Sequence, residues 1–282
     1  MSPDPLRARD LPRDFSDALA ARADRLRGFA TPVLWYDTVS STNDLADRAA
    51  AAGAEHGTVV AADCQESGRG RMGRTWHSPP GAGLYVSAVL RPDEMGGGDG
   101  EASVAAASRI TLTAGVACAE ALRNATGLPA AIKWPNDLVV GPRKVCGILA
   151  EAASSNGRLR HVILGYGINV LAASYPPEIA ERATSIEAEL GRAVDRAAVF
   201  AESLACLAER IRQLSSGGFD AMLDAWRALS PSSTGARVEI ATPSGWTEAV
   251  TAGIDSDGAL LAKTGATVRR VVAGEVRWIG TA

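Results

Sequence analysis

Three glycines are interleaved with three arginines in the segment from Gly68 to Arg74. Glycine admits backbone conformations that bring N–H groups close to a ligand, and the planar guanidinium of arginine matches phosphate or carboxylate oxygens. The segment therefore predicts a loop that binds a multiply charged anion such as a phosphate. The alternative is a solvated surface loop, because loop glycines and surface arginines are both common.

The same glycines spell the G-x-G-x-x-G pattern of a dinucleotide site, with Asp93 twenty positions after Gly73. That fingerprint must open a helix. Pro79, Pro80 and two more glycines follow instead, and such a segment cannot carry a first helical turn into a long helix. A kinase glycine-rich loop is excluded as well, because no H-R-D or D-F-G motif follows.

Three further segments place polar side chains at the ends of predicted strands. Lys133 to Asp137 offers a cation, an aromatic face, a rigid bend and two polar acceptors. Arg143 to Glu151 has a lysine and then a glycine, where a ligand could lie against the backbone while the ammonium reaches its anion. Gly165 to Val170 adds two glycines, where a ligand could approach the backbone closely, and the side-chain amide of Asn169. Each segment alone is also what a solvated strand end looks like.

The elements that position these segments alternate between strands and helices. The hydroxyl and amide side chains of Val39 to Asp44 either cap the helix that follows or face a ligand. An Asn156-Gly157 pair predicts a hairpin between two strands. A mobile loop is expected over 94–100. The apolar patterns predict helices near 44–52, 103–124 and 200–214, and strands near 58–62, 84–90, 131–134, 145–152 and 161–170.

The composition changes after the turn at 230–235. Short strands are predicted near 237–240, 247–254, 259–263 and 268–273, which is the pattern of a small β-barrel attached to an α+β domain. We therefore expect a charged N-terminal arm over 1–30, with one short helix or none, an α+β domain over 31–230 and a barrel over 231–282.

Size and charge exclude several classes of protein. The 282 residues can bury a full core, and a net charge of −3 argues against wholesale binding of nucleic acid or anionic membrane. The start of the chain lacks an apolar signal sequence, and the apolar stretch 102–122 contains Arg109 and Glu120, so we expect a cytoplasmic protein without a membrane span. The four cysteines and three histidines are scattered, which favours reduced thiols over a disulfide or metal site.

Taken in order, the motifs resemble those of the biotin-protein ligases. That family shows Ser-Thr-Asn, Gly-Arg-Gly-Arg-x-Gly-Arg followed by Trp and Ser-Pro, Lys-Trp-Pro-Asn-Asp, Lys-x-x-Gly-Ile-Leu-x-Glu and Gly-x-Gly-x-Asn. The matching residues are 41–43, 68–74 with Trp76 and Ser78-Pro79, 133–137, 144–151 and 165–169. The resemblance spans about 35–282, including 273–276 near the end. It implies an α+β fold of the class II synthetase-like, biotin/lipoate ligase type, with a mixed sheet, flanking helices and an SH3-like C-terminal barrel.

The resemblance also implies a two-step reaction with ATP and Mg²⁺. The biotin carboxylate attacks the α-phosphate of ATP to give biotinyl-5'-AMP and pyrophosphate, and a lysine of a biotin carboxyl carrier domain then takes the acyl group. Because a carboxylate must meet a triphosphate, charge repulsion and positioning dominate the barrier. No protein nucleophile is required.

The family's pattern assigns roles residue by residue. The catalytic cations are Lys144, Arg69 and Arg71. The biotin site is Ser41, Thr42, Asn43, Gln65, Arg69, Gly70, Arg71, Lys144 and Gly147. The ATP site is Arg69, Arg71, Arg74, Trp76, Asn136, Lys144 and Asn169. Asp137 is the expected Mg²⁺ ligand, since a cation that bridges phosphates usually takes one or two carboxylates.

The chain departs from some members of that family. Some carry an N-terminal DNA-binding domain, but only about forty residues precede Ser41, without paired helices or a basic surplus, so we expect the ligase without the repressor and no specific DNA partner. A tryptophan that stacks on adenine in some members is absent from 183–186. The sequence leaves a monomer and a homodimer equally open.

Two other functions are compatible with the fold. A lipoate-protein ligase or octanoyltransferase shares it but lacks the Gly-Arg heptad. A non-catalytic module that sequesters biotin or adenylate is the second alternative, and the retention of Lys144 with all three arginines argues against it.

Overall fold

The computed structural model describes residues 8–95, 103–173, 175–242, 245–271 and 276–279. Within these ranges two β-sheets and eight α-helices form the fold. Most of the predicted loop over 94–100 and of the 273–276 segment lies outside the described residues. No helix in the described part of the chain combines the length and apolar character that a membrane crossing needs.

The larger sheet is mixed and has seven strands. They are β1 (Val33–Val39), β2 (Val59–Gln65), β3 (Gly83–Leu90), β4 (Ala131–Lys133), β5 (Asp137–Val140), β6 (Arg143–Ser155) and β7 (Arg158–Asn169). Their order across the sheet is β1-β2-β3-β7-β6-β5-β4, and only β1 and β2 are parallel. The predicted hairpin between β6 and β7 is confirmed, because Asn156 and Gly157 have φ of 53° and 75°, as its turn requires.

Helices cover both faces of this sheet. They are α1 (Arg13–Ala20), α2 (Ala23–Leu26), α3 (Thr42–Ala51), α4 (Ser103–Thr126), α5 (Pro177–Ala180), α6 (Ile186–Leu190), α7 (Arg196–Ser215) and α8 (Phe219–Leu229). α4 and α7 pack together over one face, and alternate residues of β2 and β7 turn to α3 on the other. The three predicted helices are confirmed as α3, α4 and α7.

The described part of the N-terminal segment, 8–30, is packed on this core. Phe15 is 3% exposed, and its ring centroid lies 4.9 Å from that of Trp35 and 5.1 Å from that of Phe200. Arg22 and Arg25 each place a guanidinium nitrogen 2.8 Å from the carboxylate of Glu202 on α7. The segment predicted as an arm therefore contains two helices, which an ion-pair cluster fixes to α7.

Glu202 should stabilise this packing in a pH-dependent way. Burial alone would raise the pKa of its carboxyl, but hydrogen bonds from Arg22, Arg25 and Asn124 outweigh burial and lower it to about 2. A depressed folded-state pKa means that the contribution is complete above about 4.5 and is lost as the pH falls towards 2. We expect Glu202→Gln to reduce the free energy of unfolding by roughly 3 kcal/mol at pH 7, measured in urea.

The matched control is Glu209→Gln, which removes a more exposed partner of Arg25 and should cost under about 1 kcal/mol. A difference between the wild type and Glu202→Gln that stays constant from pH 7 to pH 3 would contradict the assignment.

The smaller sheet has five antiparallel strands. They are β8 (Thr234–Thr242), β9 (Gly245–Ile254), β10 (Leu260–Thr264), β11 (Thr267–Val271) and β12 (Val276–Trp278), in the order β11-β10-β9-β8-β12. It buries its own apolar cluster of Val238, Ile240, Ala249 and Ala262. The sheet agrees with the predicted SH3-like unit, and β12 adds a strand that was not predicted.

The two sheets meet at the segment 133–137. Trp134 Nε1 donates a hydrogen bond of 3.1 Å to the carbonyl of Gly258, in the turn between β9 and β10. The ammonium of Lys133 lies 5.2 Å from the ring centroid of Trp278 on β12. The C-terminal unit is therefore anchored beside the strand ends that carry the polar motifs.

Candidate active site

All fourteen residues that the sequence assigned to a site line one cavity of about 640 Å³. The cavity opens over β6 and β7, between the start of α3, the Gly/Arg loop and the end of β12. Motifs separated by more than a hundred residues meet here because β3, β7 and β6 are neighbours in the sheet.

A group of hydroxyls and amides forms one end of the cavity. The backbone N and the Oγ1 of Thr42 donate to Gln65 Oε1 at 2.9 and 3.0 Å, and Gln65 Nε2 donates to Ser78 Oγ at 3.0 Å. Ser41 is the N-cap residue of α3, yet its side chain makes no capping hydrogen bond. The polar residues at 41–43 therefore do more than cap a helix, because all three line the cavity.

The amide of Asn43 is fixed at both ends. Its Nδ2 donates to Glu151 Oε2 at 2.7 Å, and its Oδ1 accepts from Ser87 Oγ at 2.6 Å. Gly165 leaves the space for this amide, because a Cβ there would lie 2.0 Å from Asn43 Oδ1. Glu151 was not predicted as a site residue, although it ends one of the motifs.

The guanidinium of Arg69 is paired by the protein itself. Its Nη2 lies 2.8 Å from Asp44 Oδ1 and 2.7 Å from Glu151 Oε2. Arg69 lines the cavity as predicted, but two carboxylates already balance its charge. In this structure it ties the Gly/Arg loop to the start of α3.

The Gly/Arg loop is folded on itself. The amide of Gly70 donates to the carbonyl of Arg74 at 2.7 Å, and the amide of Trp76 donates to the carbonyl of Gly68 at 2.8 Å. Met72 sits at the tip with φ of 58° and is 63% exposed. The turn between these hydrogen bonds aims Arg71 back into the cavity.

Trp76 forms the floor of the cavity. A Cβ on Gly167 would lie 2.3 Å from its Nε1, and a Cβ on Gly147 would lie 2.7 Å from its ring. The two glycines of neighbouring strands are therefore required for the indole to lie flat on the sheet. Lys144 Nζ is 5.0 Å from the Trp76 ring centroid, which is a cation–π distance.

Cations converge on a single carboxylate near the centre. Lys144 Nζ lies 2.6 Å from Asp137 Oδ1. Burial lowers the pKa of the Arg71 guanidinium, and the charge of Asp137 opposes that effect while Arg74 adds to it. Since this group stays protonated at neutral pH, the centre of the cavity is positive and suits an anionic ligand.

Two side-chain amides that were predicted to contact a nucleotide donate hydrogen bonds to backbone carbonyls. Asn136 Nδ2 donates to the carbonyl of Ile148 at 2.7 Å, and Asn169 Nδ2 donates to the carbonyl of Thr184 at 2.9 Å. Both side chains line the cavity and hold its walls together. The segment at 182–184 also brackets Lys144, whose backbone N donates to Arg182 O at 2.7 Å and whose O accepts from Thr184 N at 2.9 Å.

The residues of the cavity can hold a magnesium ion only if other groups complete its coordination shell. No cluster of three or more His, Cys, Asp or Glu in the described ranges could hold a metal by itself. Asp137 Oδ1 is buried, and the Lys144 ammonium approaches it outside hydrogen-bond geometry, so this oxygen has no hydrogen-bond partner. One such carboxylate oxygen suits a Mg²⁺ that takes its remaining ligands from phosphates and water.

Comparison with known proteins finds biotin ligases among the relatives of this chain. The chain is similar to the biotin–acetyl-CoA-carboxylase ligase of Mycobacterium tuberculosis, with 33% identity over 262 residues, covering 90% of this chain and 92% of the relative. It is 34% identical over 246 residues to the bifunctional ligase/repressor BirA of Bacillus subtilis, covering 86% of this chain and 73% of that protein. The structure is similar to a biotin protein ligase from Aquifex aeolicus in complex with biotin and ATP, with a TM-score of 0.74 and 29% identity, covering 88% of this chain and 99% of that one.

The family profile agrees with these relatives. The pattern of the biotin/lipoate A/B protein ligases matches residues 35–169, which include the five ordered motifs between Ser41 and Asn169. Together with relatives above 30% identity over most of their length, this match establishes the family. The chain belongs to the biotin/lipoate A/B protein ligase family.

Proposed function

We propose that this protein is an ATP-dependent biotin–protein ligase, which makes biotinyl-5'-AMP and transfers biotin to a specific lysine of a biotin carboxyl carrier domain. The observation that carries the proposal is one cavity in which a hydroxyl–amide end adjoins a cluster of cations. The relatives named as biotin ligases support the same activity.

In the first step the cavity brings two anions together. The hydroxyl–amide end around 41–43 and Gln65 binds the polar head of biotin, which directs the carboxylate towards Lys144 and Arg71. The carboxylate oxygen bonds to the α-phosphorus of ATP, and the bond to the bridging oxygen breaks, so pyrophosphate leaves with the electron pair. Lys144 and Arg71 neutralise the two anions as they approach each other. Stabilisation of the transition state by preorganised charges is usually the largest single contribution to catalysis.

Bound Mg²⁺ supplies further charge neutralisation on the phosphates, and Asp137 is the residue that would hold it. Asn136 and Asn169 shape the nucleotide side of the cavity through their backbone hydrogen bonds. Trp76 closes that side from below.

In the second step the amine of the carrier lysine attacks the acyl carbon. The bond from this carbon to the phosphate oxygen breaks, AMP leaves and the amine loses a proton. In this proposal the domain predicted over 31–230 carries both steps, β12 of the 231–282 unit lies at the rim, and the enzyme acts in the cytoplasm.

The direct test is transfer with purified components. The protein, ATP, Mg²⁺ and biotin should add one biotin to an apo biotin carboxyl carrier domain, detected as intact mass. An apo lipoyl domain with lipoate or octanoate is the matched comparison, and we expect no product there, because the polar groups at 41–43 and 65 would be left unpaired by an apolar head. Acylation of the lipoyl domain alone would overturn the proposal.

Arg71→Gly should release the adenylate before transfer. Arg71 is half-buried over the cavity, so its loss opens the site to solvent while Lys144 remains. We expect labelling of bystander protein amines to rise about tenfold or more, measured by mass spectrometry with albumin present. Met72→Gly is the control, since it removes an exposed side chain from the same loop. An Arg71→Gly enzyme that still labels only the carrier would contradict a covering role for Arg71.

A further inference from the structure

His161 is a buried titratable residue to which the steps above give no role. It lies on β7, and its side chain is only 8% exposed. Its Nε2 lies 2.8 Å from Oδ1 of Asp47, on α3. Because an ionised carboxylate can only accept, this nitrogen carries a proton and donates it to Asp47. The hydrogen bond therefore joins a strand beneath the cavity to the helix that begins at the cavity.

The first turn of α3 supplies the hydroxyl–amide end of the cavity. Ser41 is the N-cap residue, and Thr42 and Asn43 are the first two residues of the helix. All three line the cavity. Asp47 follows Asn43 by about one helical turn and lies on the same side of the helix. A shift of α3 along its axis therefore moves Asp47 and the three cavity residues together.

Apolar packing alone leaves the axial position of α3 weakly determined. Besides Thr42 and Asn43, the residues that α3 buries against the sheet are two alanines, Ala46 and Ala50. Leu45 is the only large apolar side chain of the helix, and it is partly buried. Large side chains interlock two packed elements, whereas methyl groups leave the contact surface smooth. Polar contacts therefore have to fix where the helix lies along the sheet.

Polar contacts hold α3 at its start, its middle and its end. At the start, the amide of Asn43 is fixed as described above. At the end, the guanidinium of Arg91 donates to the carbonyl of Ala50 at 2.8 Å. The contact between Asp47 and His161 lies between these two. Because it joins two side chains and not a side chain to the repeating backbone, it forms in one axial position of the helix only.

The spacing along the strand and along the helix agrees with this role. His161 and Gly165 lie four residues apart on one face of β7, a distance of about 13 Å. Asn43, which occupies the space over Gly165, lies about 6 Å from Asp47 along the helix axis. The side chains of Asp47 and His161 together span the remaining distance of about 7 Å. A shorter side chain at position 161 would not reach the carboxylate.

We propose that His161 is a positioning residue for the recognition of biotin, and that it acts through Asp47 to fix α3 and thereby the polar side chains at 41–43. This inference rests on the proposed ligase function. His161 itself lies outside the cavity lining, so its effect on the substrate passes through the helix. Its loss should weaken the binding of biotin without changing the groups that act on the phosphates.

The test compares kinetic constants in biotin-dependent exchange of labelled pyrophosphate into ATP, with the full-length enzyme and Mg²⁺. His161→Leu should raise the KM for biotin about tenfold, because the helix loses its axial reference. The KM for ATP and the kcat at saturating biotin should stay within about twofold. His161→Gln, whose amide can still donate to the carboxylate, should recover most of the loss. Arg48→Ala, at an exposed position of the same helix, is the control with all constants unchanged.

Asp47→Ala tests the same contact from its solvent side. The Asp47 side chain is 57% exposed, so its removal leaves the buried core intact. Alanine is the better helix former, and a variant that affected only helix stability would therefore not weaken biotin binding. We expect the KM for biotin to rise about tenfold here as well. The double variant with His161→Leu should be no worse than either single variant, because both remove one contact.

Three results would overturn the inference. One is an unchanged KM for biotin in Asp47→Ala. Another is an equal loss in the KM for biotin, the KM for ATP and kcat, which would show that His161 supports the whole fold. The third is a double variant in which the two single losses multiply, which would show that the residues act separately. Absence of exchange by the wild-type protein would instead remove the proposed function, so the two failures are distinguishable.

Discussion

Lys144→Ala should lower the rate of biotinyl-adenylate formation by about 1000-fold or more, which is the largest effect we expect from any single substitution. Two losses combine in this variant. The cation between the biotin carboxylate and the α-phosphate disappears, and the carboxylate of Asp137, now 2.6 Å from an ammonium, is left unpaired beside two substrate anions.

The measurement is biotin-dependent pyrophosphate exchange at saturating ATP. Lys263→Ala is the control, since it removes an exposed lysine far from the cavity and should exchange at the wild-type rate. Because Lys144 is partly exposed at the start of β6, its loss should leave the thermal unfolding of the protein nearly unchanged. Pyrophosphate release at the wild-type rate by Lys144→Ala would refute its role.

Gly165→Ala should raise the KM for biotin about 100-fold. The new Cβ would lie 2.0 Å from Asn43 Oδ1, so the amide has to move. It cannot move without cost, because Ser87 and Glu151 hold its two ends. Two hydrogen bonds in a buried site at about 1 to 1.5 kcal/mol each give a loss of this size.

Gly115→Ala is the matched control, because a Cβ on this α4 residue would have its nearest neighbour, Ile132, at an ordinary 3.6 Å. The KM for ATP should change little in either variant, since Asn43 belongs to the hydroxyl–amide end of the cavity and is not among the residues assigned to ATP. An unchanged KM for biotin in Gly165→Ala would show that the position of Asn43 does not matter for recognition.

Periodicity and turn chemistry predicted most of the fold. The long helices α4 and α7 and the hairpin of β6 and β7 have strong local patterns, which the structure confirms. The strands β1, β5 and β12 were missed, and β5 and β12 have only four and three residues, which are too few for an alternating pattern. α8 was also missed, although Phe219, Met222, Leu223 and Trp226 have the i, i+3, i+4, i+7 spacing that predicts a helix.

The sequence predicted which residues line the site better than it predicted which of their charges pair with each other. Motifs at strand ends identify which residues face a cleft, but a carboxylate partner is chosen by tertiary packing. Arg69 was assigned to substrate anions, yet the structure gives it Asp44 and Glu151. Trp278 was missed because it reaches Lys133 only through the docking of a strand about 145 residues away, which local pattern does not encode.

Because the chain has few lysines, acylation of its own surface can show whether the adenylate escapes from the cavity. A mixed anhydride that escapes acylates the first primary amine it meets, and the guanidinium of arginine, which does not lose its proton, is inert to it. Of the three lysines, two lie in the cavity and only Lys263 is exposed. Biotin found on the peptide that contains Lys263 therefore reports that the intermediate has escaped from the cavity.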